Sequence, residues 1–308
     1  MTNKKLVISN KEFIVGYQPQ GEWSWLIAIA FFLGNVGAGT FFISYFAKSM
    51  LGAAIALLIV GIGKSTAHLL YLGRPERFLN AIRHWQTSWI ARGLLAMSLF
   101  LIFGIVYELR YLGLSSMPKS IVDSFGVLAL IACLVVMIYD GFVMMASKGT
   151  PFWRTPILPA VAFGYSIVGG VTVTLLVQWA QGGQPSVSFE WLQAAFIFAN
   201  ISTITTIIVT SLRKGGAAKR SLELLMQGIY ASLFFGVAIT LGLIVLIVLV
   251  ITTAVTQNID MFLVAVCLDL IGHFALFFAV LRVGTHPEIR PSVARLTKGS
   301  KSAQLILR

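Results

Sequence analysis

His68-Leu-Leu-Tyr-Leu-Gly-Arg-Pro-Glu-Arg-Phe78, followed by Trp85-Gln-Thr-Ser-Trp-Ile-Ala-Arg-Gly93, decides how the chain is read. Long apolar runs border it on both sides. Within and between its two halves stand Arg74, Arg77, Arg83 and Arg92, with His68, His84, Tyr71, Trp85 and Trp89. Charge alone makes this a basic loop at a membrane interface. The mixture of imidazole, phenol and guanidinium also fits a site at the membrane edge, where a lipid-soluble ligand meets an electron or proton donor.

Composition sets the class. Of 308 residues, 57% are hydrophobic and 11% charged, and the mean hydropathy is +0.88. A soluble domain carries roughly 25% charged residues. The expected fold is therefore an all-α membrane protein, its uncharged runs long enough to cross about 30 Å of hydrocarbon as helices. Cys133 and Cys267 lie in apolar runs without a partner at metal-ligand spacing, so both read as buried, inert thiols and no metal site is expected. The net charge of +12 sits mainly in loops and tails, which suits anionic lipid head groups and a partner protein rather than nucleic acid.

Eight spans are expected, over residues 23–47, 50–71, 88–109, 121–146, 157–179, 191–212, within the uncharged run 224–259, and 261–281. The seventh run exceeds the roughly 20 residues a span needs, which implies tilt or extension beyond the bilayer. Residues 1–22 are polar and do not read as a cleaved signal peptide. The first span carries Gly34-Asn-Val-Gly-Ala-Gly39, small residues that admit a close neighbouring helix. No strand precedes them, so they are not a phosphate-binding loop. Asn35, the polar exception, serves either an interhelical hydrogen bond or a ligand. With eight spans the termini share one side. That side holds 19 Lys and Arg against 3 on the other, which places both termini in the cytoplasm of an inner-membrane protein.

Charged groups at membrane depth are costly and usually face the bundle interior. Lys64, Arg92, Asp140 and Asp269 are the candidates, with His68 and His273 as titratable neighbours. The second and fourth spans end on the termini side, and the first and third begin there. Trp23, Lys64, His68, Tyr71, Arg92, Tyr139 and Asp140 therefore gather at one membrane face. Lys64 and His68 share a helix face at i, i+4, as do Asp269 and His273. The first group suits quinone chemistry. A head group needs hydrogen-bond partners for two oxygens, and its oxidation or reduction moves two protons with two electrons; histidine, tyrosine and carboxylate are suitable proton partners. Asp140 and Arg92 alternatively form a structural ion pair. Asp269 and His273 form either a structural pair or part of a proton relay ending at Asp140 or Lys64. A b-type cytochrome anchor, a secondary transporter and a proton pump complete the alternatives. The first lacks histidines, since two haems need about four ligands; the second lacks a clear inverted repeat; the third is compatible with a quinone anchor.

Leu72-Gly-Arg-Pro75 with Thr87-Ser-Trp-Ile-Ala-Arg-Gly93 resembles the signature of the NrfD/polysulphide-reductase membrane subunits, and the likeness in length and span number covers the whole chain. The resemblance implies two four-helix bundles, at residues 23–147 and 148–282, between the polar segment 1–22 and the basic tail 283–308. It implies a quinone, with menaquinone expected, in the first bundle, and no haem or iron–sulfur cluster in this chain. Electrons would pass to or from a ferredoxin-like iron–sulfur subunit serving a molybdenum or tungsten pterin enzyme, the catalytic partner. His68, Tyr139 and Asp140 would act on the quinone, with Trp23, Asn35, Lys64, Tyr71 and Arg92 binding it. Arg74, Arg77 and Arg83 would dock the partner, and Asp269 and His273 would carry protons. Well-known members meet their partners outside the cytoplasm, whereas the charge count here places this face inside.

Overall fold

The computed structural model describes residues 7–9, 12–14, 16–73, 75–114, 116–184 and 186–288. Among the described residues, eight helices are long and apolar enough to cross a membrane: Trp25–Ala47, Met50–Tyr71, Trp89–Tyr111, Lys119–Ala146, Ile157–Ala180, Val187–Lys214, Ser232–Thr256 and Ile259–Arg282. The chain is a multi-pass membrane protein, because only helices keep every backbone polar group paired inside the chain at that depth without closing a barrel. Side-chain caps begin several spans. Ser49 accepts from the Gly52 N–H, Ser88 from the Ala91 N–H, and Asn258 from the Asp260 and Met261 N–H groups, supplying partners the first turn lacks.

The first and fifth spans lie at the centre, with 72% and 78% of their apolar windows buried against 28–56% for the others. Glycine permits their contact. A Cβ on Gly39 would lie 1.7 Å from the Ser166 carbonyl oxygen, and one on Gly170 would lie 2.2 Å from the Gly39 carbonyl carbon. The small residues of the first span thus admit a backbone, as their spacing implied. Around this pair the second span packs on the first, the third on the fourth, the fourth on both central helices, the sixth on the fifth, and the eighth on the first, fifth and seventh.

Several features depart from the sequence reading. The uncharged run after Leu224 is not one helix. A short helix, Gly216–Met226, ends at a turn through Gly228, and the seventh span starts at Ser232. The second span adopts π-type bonding over Ile59–Lys64, and the loop after it contains a 3₁₀ segment, Pro75–His84. Cys133 is buried and its thiol donates to the Ala38 carbonyl at 3.0 Å, but Cys267 is exposed, a correction to the expectation of two buried thiols. Short antiparallel strands also occur: Val7–Ser9 pairs with Glu12–Ile14, and Gln18–Pro19 pairs with Thr285–His286.

The second strand pair belongs to a clasp at the face where the second span ends, called here the near face. The Gln20 N–H donates to the Gly284 carbonyl at 2.7 Å, and its side-chain amide donates to the carbonyls of Leu281 at 2.9 Å and Trp23 at 3.0 Å. The Trp153 indole N–H donates to the Val280 carbonyl at 2.9 Å while its ring stacks on Trp23, centroids 4.8 Å apart. The entry to the first span, the loop between the fourth and fifth, and the exit from the eighth are thereby tied together.

Candidate functional site

Lys64 and Asp140 form the centre of the near-face group. Both side chains are fully buried, and the Lys64 ammonium lies 3.3 Å from each Asp140 carboxylate oxygen. It also donates to the Ala30 carbonyl at 3.1 Å and sits 4.6 Å above the Tyr139 ring centroid. Local sequence explains why it fits. A Cβ at Gly34 would lie 2.2 Å from the Lys64 Nζ, so the glycine leaves the space that the ammonium fills. The π-type turn ends at Lys64; its wider winding changes which way side chains face, and such turns are frequent at functional sites.

Beside this pair, the Tyr139 hydroxyl stands 3.5 Å from His68 Nε2, and His68 Nδ1 lies 3.2 Å from the Lys64 carbonyl oxygen. The backbone contact fixes the ring. The first contact is at the limit of hydrogen bonding, so the imidazole Nε2 keeps capacity for a ligand oxygen, while the Tyr139 phenol is buried and also engages Asp140. His68 is half-buried, between the sealed ion pair and the near face. The motif around Thr87–Gly93 positions this wall: a Cβ on Gly93 would lie 2.2 Å from Tyr139 Cδ2, and Trp89 stacks on Phe142 at 4.1 Å.

The alternative in which Asp140 pairs with Arg92 is corrected, since Lys64 holds Asp140. Arg92 donates to the carbonyls of Trp85 at 3.0 Å and Gln86 at 2.6 Å and lies over the Trp89 ring. It ties down the turn that leads into the third span. Asn35 is fully buried and accepts from the Ser166 hydroxyl at 3.3 Å, the interhelical alternative, while its amide nitrogen has no hydrogen-bond partner. Trp23 stacks in the clasp, and the Tyr71 hydroxyl donates to the Glu22 carbonyl at 3.2 Å; both form the rim. Arg83 is exposed at the end of the 3₁₀ segment. Arg74 and the side chain of Arg77 lie outside the described residues.

Asp269 and His273 are buried in the eighth span but do not pair, which corrects that alternative. Asp269 accepts a hydrogen bond from the Thr172 hydroxyl, which itself accepts from the Gln193 amide at 2.6 Å. Neither ring nitrogen of His273 has a partner; Tyr165, Phe32 and Phe277 surround the ring at 4.6, 5.2 and 5.3 Å. Thr172, Glu190 and Gln193 escaped the sequence reading. Glu190 fell one residue before the expected start of the sixth span, although its i, i+3 spacing to Gln193 was a usable signal. Glu108, buried with both carboxylate oxygens unpartnered, was also missed. A separate cavity of about 30 Å³, lined by Gly141, Met144, Leu158 and Phe277 among others, is walled by apolar groups and offers no partner to a polar head group.

These features define a multi-pass membrane protein with a buried ion pair and a half-open phenol–imidazole site at one membrane face. The sequence profile described as polysulphide reductase, NrfD, matches residues 15–286. The chain belongs to this NrfD family, whose members are membrane subunits of redox complexes. It is similar to the C subunit of the sulfite dehydrogenase of Allochromatium vinosum, 28% identical over 150 residues, covering 41% of this chain and 45% of that protein. It is also similar to protein NrfD of Escherichia coli strain K12, 29% identical over 186 residues, covering 50% of this chain and 58% of that protein. The chain thus matches about half the length of each of these relatives.

Proposed function

We propose that this chain is the quinone-reactive anchor of a multi-subunit oxidoreductase. It would exchange electrons between a membrane quinone, menaquinone foremost, and an extrinsic ferredoxin-like iron–sulfur subunit that serves a molybdenum or tungsten pterin enzyme. The observation that carries this reading is the half-buried Tyr139–His68 contact placed directly beside the sealed Lys64–Asp140 pair. A quinone bound there takes up or releases two protons with two electrons. Tyr139 and His68 donate to or accept from a head-group oxygen. His68 moves a proton at Nε2, and Lys64 with Asp140 supplies a compensated charge pair behind it. Arg92 and Trp89 hold the wall in place, and Arg83, with Arg74 and Arg77, faces the docked partner. The first four spans form the quinone-binding bundle and the last four a second bundle in which Asp269 and His273 serve proton movement. The charge asymmetry favours a cytoplasmic near face in the inner membrane.

The test is His68→Ala in the assembled complex. Quinol-coupled turnover should fall by at least about tenfold, the scale of a lost proton partner, while activity with an artificial dye that bypasses quinone persists. Quinol kinetics equal to wild type would sink the reading.

A further inference from the structure

Opposite the near face, Glu190 stands in the first turn of the sixth span, 2% exposed. Burying a carboxylate is costly unless it is paired, and this one has almost no support. Oε1 has no hydrogen-bond partner, and Oε2 has only the Gln257 amide at 3.5 Å. The Thr253 hydroxyl, from the seventh span, is also buried without a partner. Both line a small cavity of about 10 Å³ whose wall includes Gln193, Thr172, Phe262 and Val266. That is about the room a single water needs, and the cavity presents the two to four polar groups an ordered water requires.

A hydrogen-bonded row leads inward from this chamber. Gln193 donates to Thr172 at 2.6 Å, and Thr172 donates to Asp269. His273 follows one turn along the eighth span, with both ring nitrogens free of hydrogen bonds. Beyond it, Ser166 bonds Asn35, whose neighbour Gly34 abuts the Lys64 ammonium. Polar groups on the first, fifth, sixth and eighth spans thus lie between the far face and the Lys64–Asp140 pair, hydrogen-bonded to one another from Gln193 to Asp269 and again between Ser166 and Asn35.

We propose that Glu190 is the far-face proton-loading group of this row, exchanging protons between far-side water in the chamber and Asp269. The inference rests on the quinone reading for its purpose: reducing a quinone at the near face consumes two electrons, drawn from carriers of the iron–sulfur class, and two protons, and the row supplies those protons from the opposite side. Oxidation of a quinol runs the same transfers in reverse. Glu190 takes up a proton at a carboxylate oxygen, the chamber water passes one to the Thr172 hydroxyl, which hands its own proton to Asp269, and Gln193 holds Thr172 in place.

Two measurements separate this proposal from the reading beneath it. The first needs no quinone. In infrared spectra of the purified chain at acid pH, the Asp269 carboxyl C=O band should shift within the mixing time on transfer to D₂O. In Glu190→Gln that exchange should slow at least tenfold, and Glu190→Asp should restore it. Equal exchange in wild type and Glu190→Gln overturns the proposal, whatever the quinone assay shows. The second uses the complex in sealed vesicles, driven by a quinol analogue and a dye acceptor. Glu190→Gln should keep electron transfer within twofold while far-face proton exchange per electron falls at least tenfold. Unchanged far-face exchange, or a signal that requires sodium rather than protons, overturns the proposal. Absence of quinol-driven electron transfer in wild type instead overturns the quinone reading. Should Glu190→Gln fail to accumulate, Gln193→Leu, which cuts the row one residue further in, is expected to give the same pair of losses and is judged by the same criteria.

Discussion

The Lys64–Asp140 pair permits a quantitative test. Both partners are fully buried and 3.3 Å apart. Replacing one alone leaves an uncompensated charge, a change that typically costs about 3–5 kcal/mol. Insertion scales price a lysine or aspartate at the centre of a membrane helix at about 2.5–3.5 kcal/mol, a similar figure. Lys64→Met also removes the bond to Ala30 and the contact with the Tyr139 ring, a cation–π interaction of roughly 0.5–2 kcal/mol. Asp140→Leu should therefore lower unfolding free energy by about 3–5 kcal/mol, with Lys64→Met at or above the top of that range. The double variant removes both charges and substitutes apolar groups of comparable size, an exchange that is often nearly neutral. It should be more stable than either single variant, with a coupling energy of at least about 3 kcal/mol. The assay is unfolding of the purified chain in mixed micelles with increasing dodecyl sulfate, followed by tryptophan fluorescence. Strict additivity of the two single changes, or a cost below about 1 kcal/mol for each, would refute the claim that the two charges compensate each other inside the molecule.

Two further expectations concern the near face. Gly93→Ala places a methyl group 2.2 Å from the Tyr139 ring; overpacking of this kind costs about 1–3 kcal/mol, and quinol turnover should fall further than dye turnover because the phenol moves relative to His68. Equal losses in both assays would separate the glycine from the site. Arg83→Glu reverses an exposed charge at the end of the 3₁₀ segment; washed membranes should lose the extrinsic subunit at lower salt than wild type, and retention of that subunit at moderate salt would assign the arginine to lipid instead.

Span limits were legible because uncharged runs bounded by Trp, Ser, Pro and Lys mark where a helix leaves hydrocarbon. The near-face gathering of Lys64, His68, Tyr139 and Asp140 was legible too, because it follows from span direction alone. Partner choice was not. Lys64 and Arg92 both stand near the level of Asp140, and what separates them is a π-type segment and the vacancy at Gly34, neither of which has a periodic signature. Helix faces were equally hidden: spans that are apolar all round carry little amphipathic signal, so Cys267 could not be told from Cys133. The break near Gly228 was obscured by uninterrupted hydrophobicity. Glu190 fell one residue outside the expected sixth span, and with it went the chamber at the far face.

The clasp has a consequence for how the protein is made. The bond from the Gln20 amide to the Leu281 carbonyl joins residues 261 positions apart. At translation rates of about 5–20 residues per second, the first span waits roughly 13–50 s for that partner to be synthesised. Trp153 waits as well, since its indole donates to Val280. During that interval the Gln20 amide keeps its bond to Trp23 but lacks Leu281, and the Trp153 indole lacks Val280. The clasp can therefore close only once the eighth helix has emerged, so the mouth of the site is completed from the other end of the chain.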